Sequence, residues 1–103
     1  MDYEKRAEEL FREGYNCAQA VFLAFACEKM DRDEAARLAS AFGGGLAGTR
    51  NTCGAVSGLA MAYGLLRGYD DPTDKEAKRA EYEAVREMAE EFAQQNGSII
   101  CRE

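Results

Sequence analysis

Apolar residues recur along this chain with helical spacing. Tyr3, Ala7, Leu10 and Phe11 fall at i, i+4, i+7 and i+8 with charges between them, which predicts a short amphipathic helix over residues 3–13. Gly14 supplies its stop. The stretch YNCAQAVFLAFA then restarts a helix. Asn16 is a favourable N-cap, and Gln19, three residues on, completes a capping-box pattern. Ala20, Val21, Ala24 and Phe25 form the apolar stripe, widened by Phe22 and Leu23, so this helix is expected to be largely buried. Asp31 to Asp33 mark a turn, with Asp33 the expected cap of a third, short helix, EAARLASAF.

Four glycines follow, Gly43, Gly44, Gly45 and Gly48. They predict a flexible segment that a ligand or another backbone can approach closely. A helix C-cap followed by a mobile loop is the simpler reading. CGAVSGLAMAYGLLRG reads as a fourth helix, apolar on nearly every face, and such a helix belongs in the middle of a bundle. Gly54 and Gly58 lie four apart, so one side of it is bare backbone that permits a close helix crossing. After a loop containing Pro72, a long charged helix runs from about Thr73 to Asn96. Ala77, Ala80, Ala84, Val85, Met88, Ala89 and Phe92 mark its inner face. Asn96 and Gly97 end it, and Ser98 is placed to cap a last turn. No alternating strand, repeat or linker is visible. The pattern predicts an all-α bundle of four to five helices in a single domain over residues 1–103.

Composition narrows the function. A formal charge of −6 disfavours nucleic acid and anionic membranes as partners. The longest apolar stretch, Ala55 to Leu66, is short of the ~20 residues a membrane helix requires, so no membrane insertion is expected. No targeting segment is evident, and a cytoplasmic location is the expectation. In that compartment the four cysteines read as thiols, metal ligands or redox groups rather than stable bridges. The chain has no histidine and no tryptophan. A Cys/His or Ser/His catalytic pair, a histidine zinc ligand and a histidine haem ligand are therefore excluded within it. Neither haem nor a nucleotide is expected as cofactor.

The cysteines have a pattern of their own. Cys17 follows Asn16, Cys53 follows Thr52, and Cys101 lies three residues after Ser98. If Asn16, Thr52 and Ser98 are caps, three sulfurs fall in first turns of helices. Unpaired amides and the helix dipole stabilise an anion there, and the thiolate is both the nucleophile and the metal ligand. Cys53 is the sulfur expected to react first, because Thr52 would cap its helix and Gly54 leaves it uncrowded. Arg50 could add positive charge, although a solvated loop residue is the simpler reading. Cys27 lies ten residues beyond Cys17 on one predicted helix, roughly 15 Å away at helical rise. That distance is too great for a disulfide. It reads as a small buried hydrophobe.

GYNCAQAVFLAF, AFGGGLAGTRNTCGAVSGLAMAYGLLRG and GSIICRE together resemble the C_GCAxxG_C_C family of small redox-active proteins. Cys53-Gly54-Ala55-Val56-Ser57-Gly58 matches its Cys-Gly-Ala-x-x-Gly motif at every fixed position. Cys17, in its Asn-Cys-Ala setting, matches the first family cysteine, and Cys101 matches the third. The resemblance implies a helical fold and a redox or metal role without a defined reaction. A similar domain in one kind of multihaem cytochrome is associated with an iron–sulfur cluster. The family's fourth cysteine lies beyond the position of Cys101, and Cys27 does not match it. Either the fourth ligand is absent, or another chain, solvent, a carboxylate or Cys27 replaces it.

The expectation is therefore a thiol-based redox protein, or one that holds an iron–sulfur cluster or thiolate-bound metal. Cys17, Cys53 and Cys101 would be the ligands and Cys53 and Cys17 the reactive pair. The glycine loop would lie beside them, with Asn16, Thr52, Gly54 and Gly58 in support. A metal carrier without redox chemistry and a helical interaction module with structural cysteines are the alternatives. A homodimer and an unidentified redox or metal-donor protein are the expected partners.

Overall fold

The structure, a computed structural model, describes residues 3–100; Met1, Asp2 and the last three residues, Cys101 among them, lie outside the described residues. It is all-α. Five helices run in the order α1 (Tyr3–Arg12), α2 (Cys17–Ala26), α3 (Arg32–Ala39), α4 (Gly54–Arg67) and α5 (Lys75–Asn96), with one 3-10 turn at Ser40–Phe42. Their ends follow local chemistry. Gly14 at φ 114° breaks the chain direction after α1, a conformation glycine adopts freely. Asp31, not Asp33, caps α3, accepting from the Glu34 amide. The last helix begins at Lys75 rather than Thr73. Asp74 caps it through the Ala77 amide, while Thr73 is engaged by Asp71 through its N–H (2.9 Å) and hydroxyl (2.7 Å). Gly97, at φ 88°, closes it with an N–H to the Ala93 carbonyl, a left-handed helix end.

The centre of the bundle is α2, which packs against α1, α3 and α4. An all-apolar pattern points to α4 for that place, yet α4 buries only Gly54, Val56, Gly58 and Ala62. Its Leu65 and Leu66 stay exposed. Six of the ten residues of α2 are buried, and its Phe22 and Leu23 are the largest fully buried side chains. Around them the core is mostly alanine, from Ala18 to Ala62. Small core residues let helix axes approach closely, so this fold is set by backbone proximity more than by interdigitating large side chains. Tyr3 of α1 stacks on Phe25 of α2, with ring centroids 4.4 Å apart.

The long helix α5 is peripheral. None of its residues is buried. Ala77, Ala84, Val85, Met88, Ala89 and Phe92 are half-covered as their pattern predicts, but Ala80 is exposed. No described helix is long and apolar enough to cross a membrane.

Candidate functional site

The start of α2 is fixed by a complete capping box. Asn16 accepts from the Gln19 amide at 2.8 Å, and the Gln19 side chain accepts from the Asn16 amide at 3.0 Å. Both side chains also reach across. Asn16 Nδ2 donates to the Ser40 carbonyl and Gln19 Nε2 to the Ala36 carbonyl. Cys17, the first residue of α2, is thereby held against α3 and the turn that follows it.

The motif glycines bring α4 onto this point. An ideal Cβ on Gly54 would collide with Cys17 Sγ, and one on Gly58 would sit 2.7 Å from the Ala18 carbonyl oxygen. Both positions need glycine because the first turn of α2 already fills the space. The expected close crossing is thus present. Its purpose is visible too: it lays the Cys17 sulfur on the backbone next to Cys53.

Cys53 itself differs from expectation. Thr52 is not the cap of α4; Cys53 occupies the N-cap position, and no side chain caps the helix. Thr52 is instead drawn into an isolated antiparallel bridge with Ile100, and the Cys53 amide donates to the Ile99 carbonyl at 2.6 Å. Residue 99 is therefore in a bend and residue 100 in a bridge beside Cys53, and neither starts a helix. Ser98 uses its hydroxyl to accept from the Ile100 amide at 2.9 Å.

The glycine loop is a left-handed turn tied by its own hydrogen bonds. Five successive residues, Gly44, Gly45, Leu46, Ala47 and Gly48, have positive φ, as does Arg50. Chirality makes consecutive left-handed residues costly, on the order of 1–2 kcal/mol for each that is not glycine. Hydrogen bonds offset the cost: Ala47 to Ala41 (2.6 Å), Gly48 to Gly43 (3.1 Å), Arg50 to Gly44 (2.9 Å) and Asn51 to Gly45 (3.0 Å), each from amide to carbonyl. Thr49 adds a hydroxyl bond to the Gly45 carbonyl at 2.6 Å. The loop closes on itself and on the start of α2, where a Cβ on Gly43 would fall 2.5 Å from Asn16 Cγ.

These segments line an open cavity of about 440 Å³. Cys17, Cys53, Gly44, Gly48 and Arg50 line one side of it. Phe11 of α1, Phe92 and Asn96 of α5, and Ser98 and Ile100 form the rest. Both cysteines are half-buried. Among the described residues no carboxylate lines the cavity, and no group of three or more Cys, Asp or Glu side chains could hold a metal ion. The described part thus supplies two thiols; the expected third, Cys101, lies outside the described residues. Phe11, Phe92 and Asn96 carried no local signal of a site, since helical spacing marks Phe11 and Phe92 as ordinary inner-face residues.

Cys27 stands apart from this cavity. It is exposed, contrary to its reading as a buried hydrophobe. It is the C-cap of α2, where the chain leaves the core. Arg6 of α1 donates to its Sγ at 2.8 Å and to the Ala24 carbonyl at 3.1 Å.

The fold and the cavity define a class: a small all-helical protein with two cysteines brought together at the starts of two crossing helices. Within that class the chain belongs to the family described as "Putative redox-active protein (C_GCAxxG_C_C)", matched over residues 15–103. No curated protein and no solved structure matches it.

Proposed function

We propose that this chain is a thiol–disulfide redox protein whose working sulfurs belong to Cys53 and Cys17. The observation that carries this reading is their joint exposure to one cavity, with Cys17 Sγ seated against the backbone of Gly54. The reaction balances with a disulfide as oxidant. The Cys53 thiolate attacks one sulfur of the disulfide, forming a mixed disulfide and releasing one thiolate. Cys17, after losing its proton, attacks the Cys53 sulfur and releases the second thiolate. One external disulfide becomes two thiols, and one protein dithiol becomes a disulfide.

The test uses Cys27→Ser protein, because exposed Cys27 would otherwise dominate any thiol assay. Equilibrating it in graded thiol–disulfide buffers, trapping with an alkylating reagent and mapping peptides by mass is expected to give a reversible Cys17–Cys53 crosslink. Retention of both as free thiols at every ratio would sink the reading.

A second reading is a thiolate-held metal ion or iron–sulfur cluster. It is favoured by Ile100, which lines the cavity and directly precedes Cys101 in sequence. Three thiolates leave one position of a tetrahedral ion open, for solvent or for a second copy of the chain. Metal analysis and a visible spectrum of anaerobically purified protein separate the cases. Colour that bleaches in air signals a cluster, colourless stoichiometric zinc or copper(I) signals a carrier, and the absence of metal leaves the dithiol.

A further inference from the structure

We infer that the cavity takes a small, carboxylate-bearing disulfide, with Arg50 pairing the carboxylate while the disulfide faces Cys53. This deepens the dithiol reading and rests on it. Three observations carry it. The first is size and shape. A hollow of about 440 Å³ falls among small-molecule sites, which run from roughly 300 to 1,000 Å³. Both cysteines are half-buried in it, and Phe11 and Phe92 are among the residues that line the same hollow.

The second is charge. The chain carries 19 acidic residues and a net charge of −6, yet no described carboxylate lines this cavity and a single cation does, Arg50. Its guanidinium has no hydrogen-bonding or ionic partner among the described residues; Arg37, Arg67 and Arg86 are likewise unpaired, but only Arg50 of these lines the cavity that holds Cys17 and Cys53. A planar guanidinium fork matches a carboxylate. The third is polar capacity at the opposite wall. Asn96 donates one N–H to the Phe92 carbonyl, and the Ser98 hydroxyl accepts from the Ile100 amide. That leaves the Asn96 amide oxygen and second N–H and the Ser98 hydroxyl hydrogen, a complement to peptide-like N–H and C=O groups. Acidic repulsion from the rest of the molecule would disfavour such an anion, so any preference for it must arise locally.

The experiment compares two oxidants on Cys27→Ser protein: glutathione disulfide, which carries carboxylates, and bis(2-hydroxyethyl) disulfide, which carries none. The readout is the rate of Cys17–Cys53 crosslinking, and the ratio of the two rates is divided by the same ratio for free N-acetylcysteine. The normalised preference is expected to favour glutathione disulfide by about fivefold, the scale of one partly exposed ion pair. It should fall to about one in Arg50→Gln and survive in part in Arg50→Lys. A normalised preference at or below one in the unsubstituted Arg50 protein, with both reagents oxidising the pair, overturns the ligand class and leaves the dithiol intact. Failure of both reagents to crosslink Cys17 and Cys53 overturns the dithiol reading and this inference with it.

Discussion

At Gly54 an added methyl group would meet Cys17 Sγ on one side and the Phe42 carbonyl oxygen, 2.9 Å away, on the other. At Gly58 it would meet the Ala18 carbonyl oxygen, and neither backbone can yield without moving a helix. Gly54→Ala and Gly58→Ala should each destabilise by about 1–3 kcal/mol, the usual cost of overfilling a packed contact, measured as a lowered urea midpoint at constant slope. Gly64 sits on the same helix with its nearest neighbour, Glu81 Oε2, at an ordinary 3.6 Å. Gly64→Ala should therefore stabilise by about 0.5–1 kcal/mol, because alanine restricts the unfolded chain and favours helix. Equal effects at the three positions would contradict the account of why this motif spaces its glycines. A smaller effect belongs to Asp71, whose carboxyl is held below the ordinary range by the Thr73 amide and then the Thr73 hydroxyl. Its contribution is present above the unfolded pKa and is lost as pH falls through the folded value. An NMR titration should show the Asp71 carboxyl moving up in Thr73→Val, which keeps the amide but removes the hydroxyl.

Helices α1 to α5 differ in how firmly they are held. The capping box and cross-links of Asn16 secure α2, so Asn16→Ala should cost about 1–2 kcal/mol, read as a fall in melting temperature. Amides in the middle of α2 should exchange only by global unfolding, whereas α5, with no buried residue, should open at lower free energy. Uniform protection across both helices would refute that ranking. The same contrast explains what the sequence makes legible. Helix spacing, the Asn16 box and the Gly97 stop are local, and each reads correctly along the chain. The pairing of Thr52 with Ile100, and Arg6 reaching Cys27, join segments far apart in sequence. A threonine before a helix looks like a cap until a distant strand-like partner claims it. The glycine run reads as slack for a similar reason: composition reveals freedom to turn left-handed, but not the hydrogen bonds that use it. That Cys17 and Cys53 line one cavity is foreshadowed by the family motif, whose Gly54 and Gly58 on α4 make room for the start of α2; the aromatic and polar residues of the cavity carry no such mark.

For the whole molecule, a Cys17–Cys53 crosslink would tie α2 to α4 across the glycine loop. Restricting the unfolded chain over that loop has an entropic value of up to about 3–4 kcal/mol, so the oxidised protein should melt higher than the reduced one by calorimetry. A lower melting temperature after oxidation would mean that the crossing must distort to form the bond. The bridge between residue 52 and residue 100 adds a consequence for biosynthesis. The cavity's first sulfur arrives early on the ribosome, but the Cys53 amide finds its acceptor only when Ile99 has been made. Phe92, Asn96, Ser98 and Ile100, which complete the wall, emerge equally late. A nascent chain therefore carries both thiols before the cavity that they line is complete, and the cavity forms only as the segment from Phe92 to Ile100 docks.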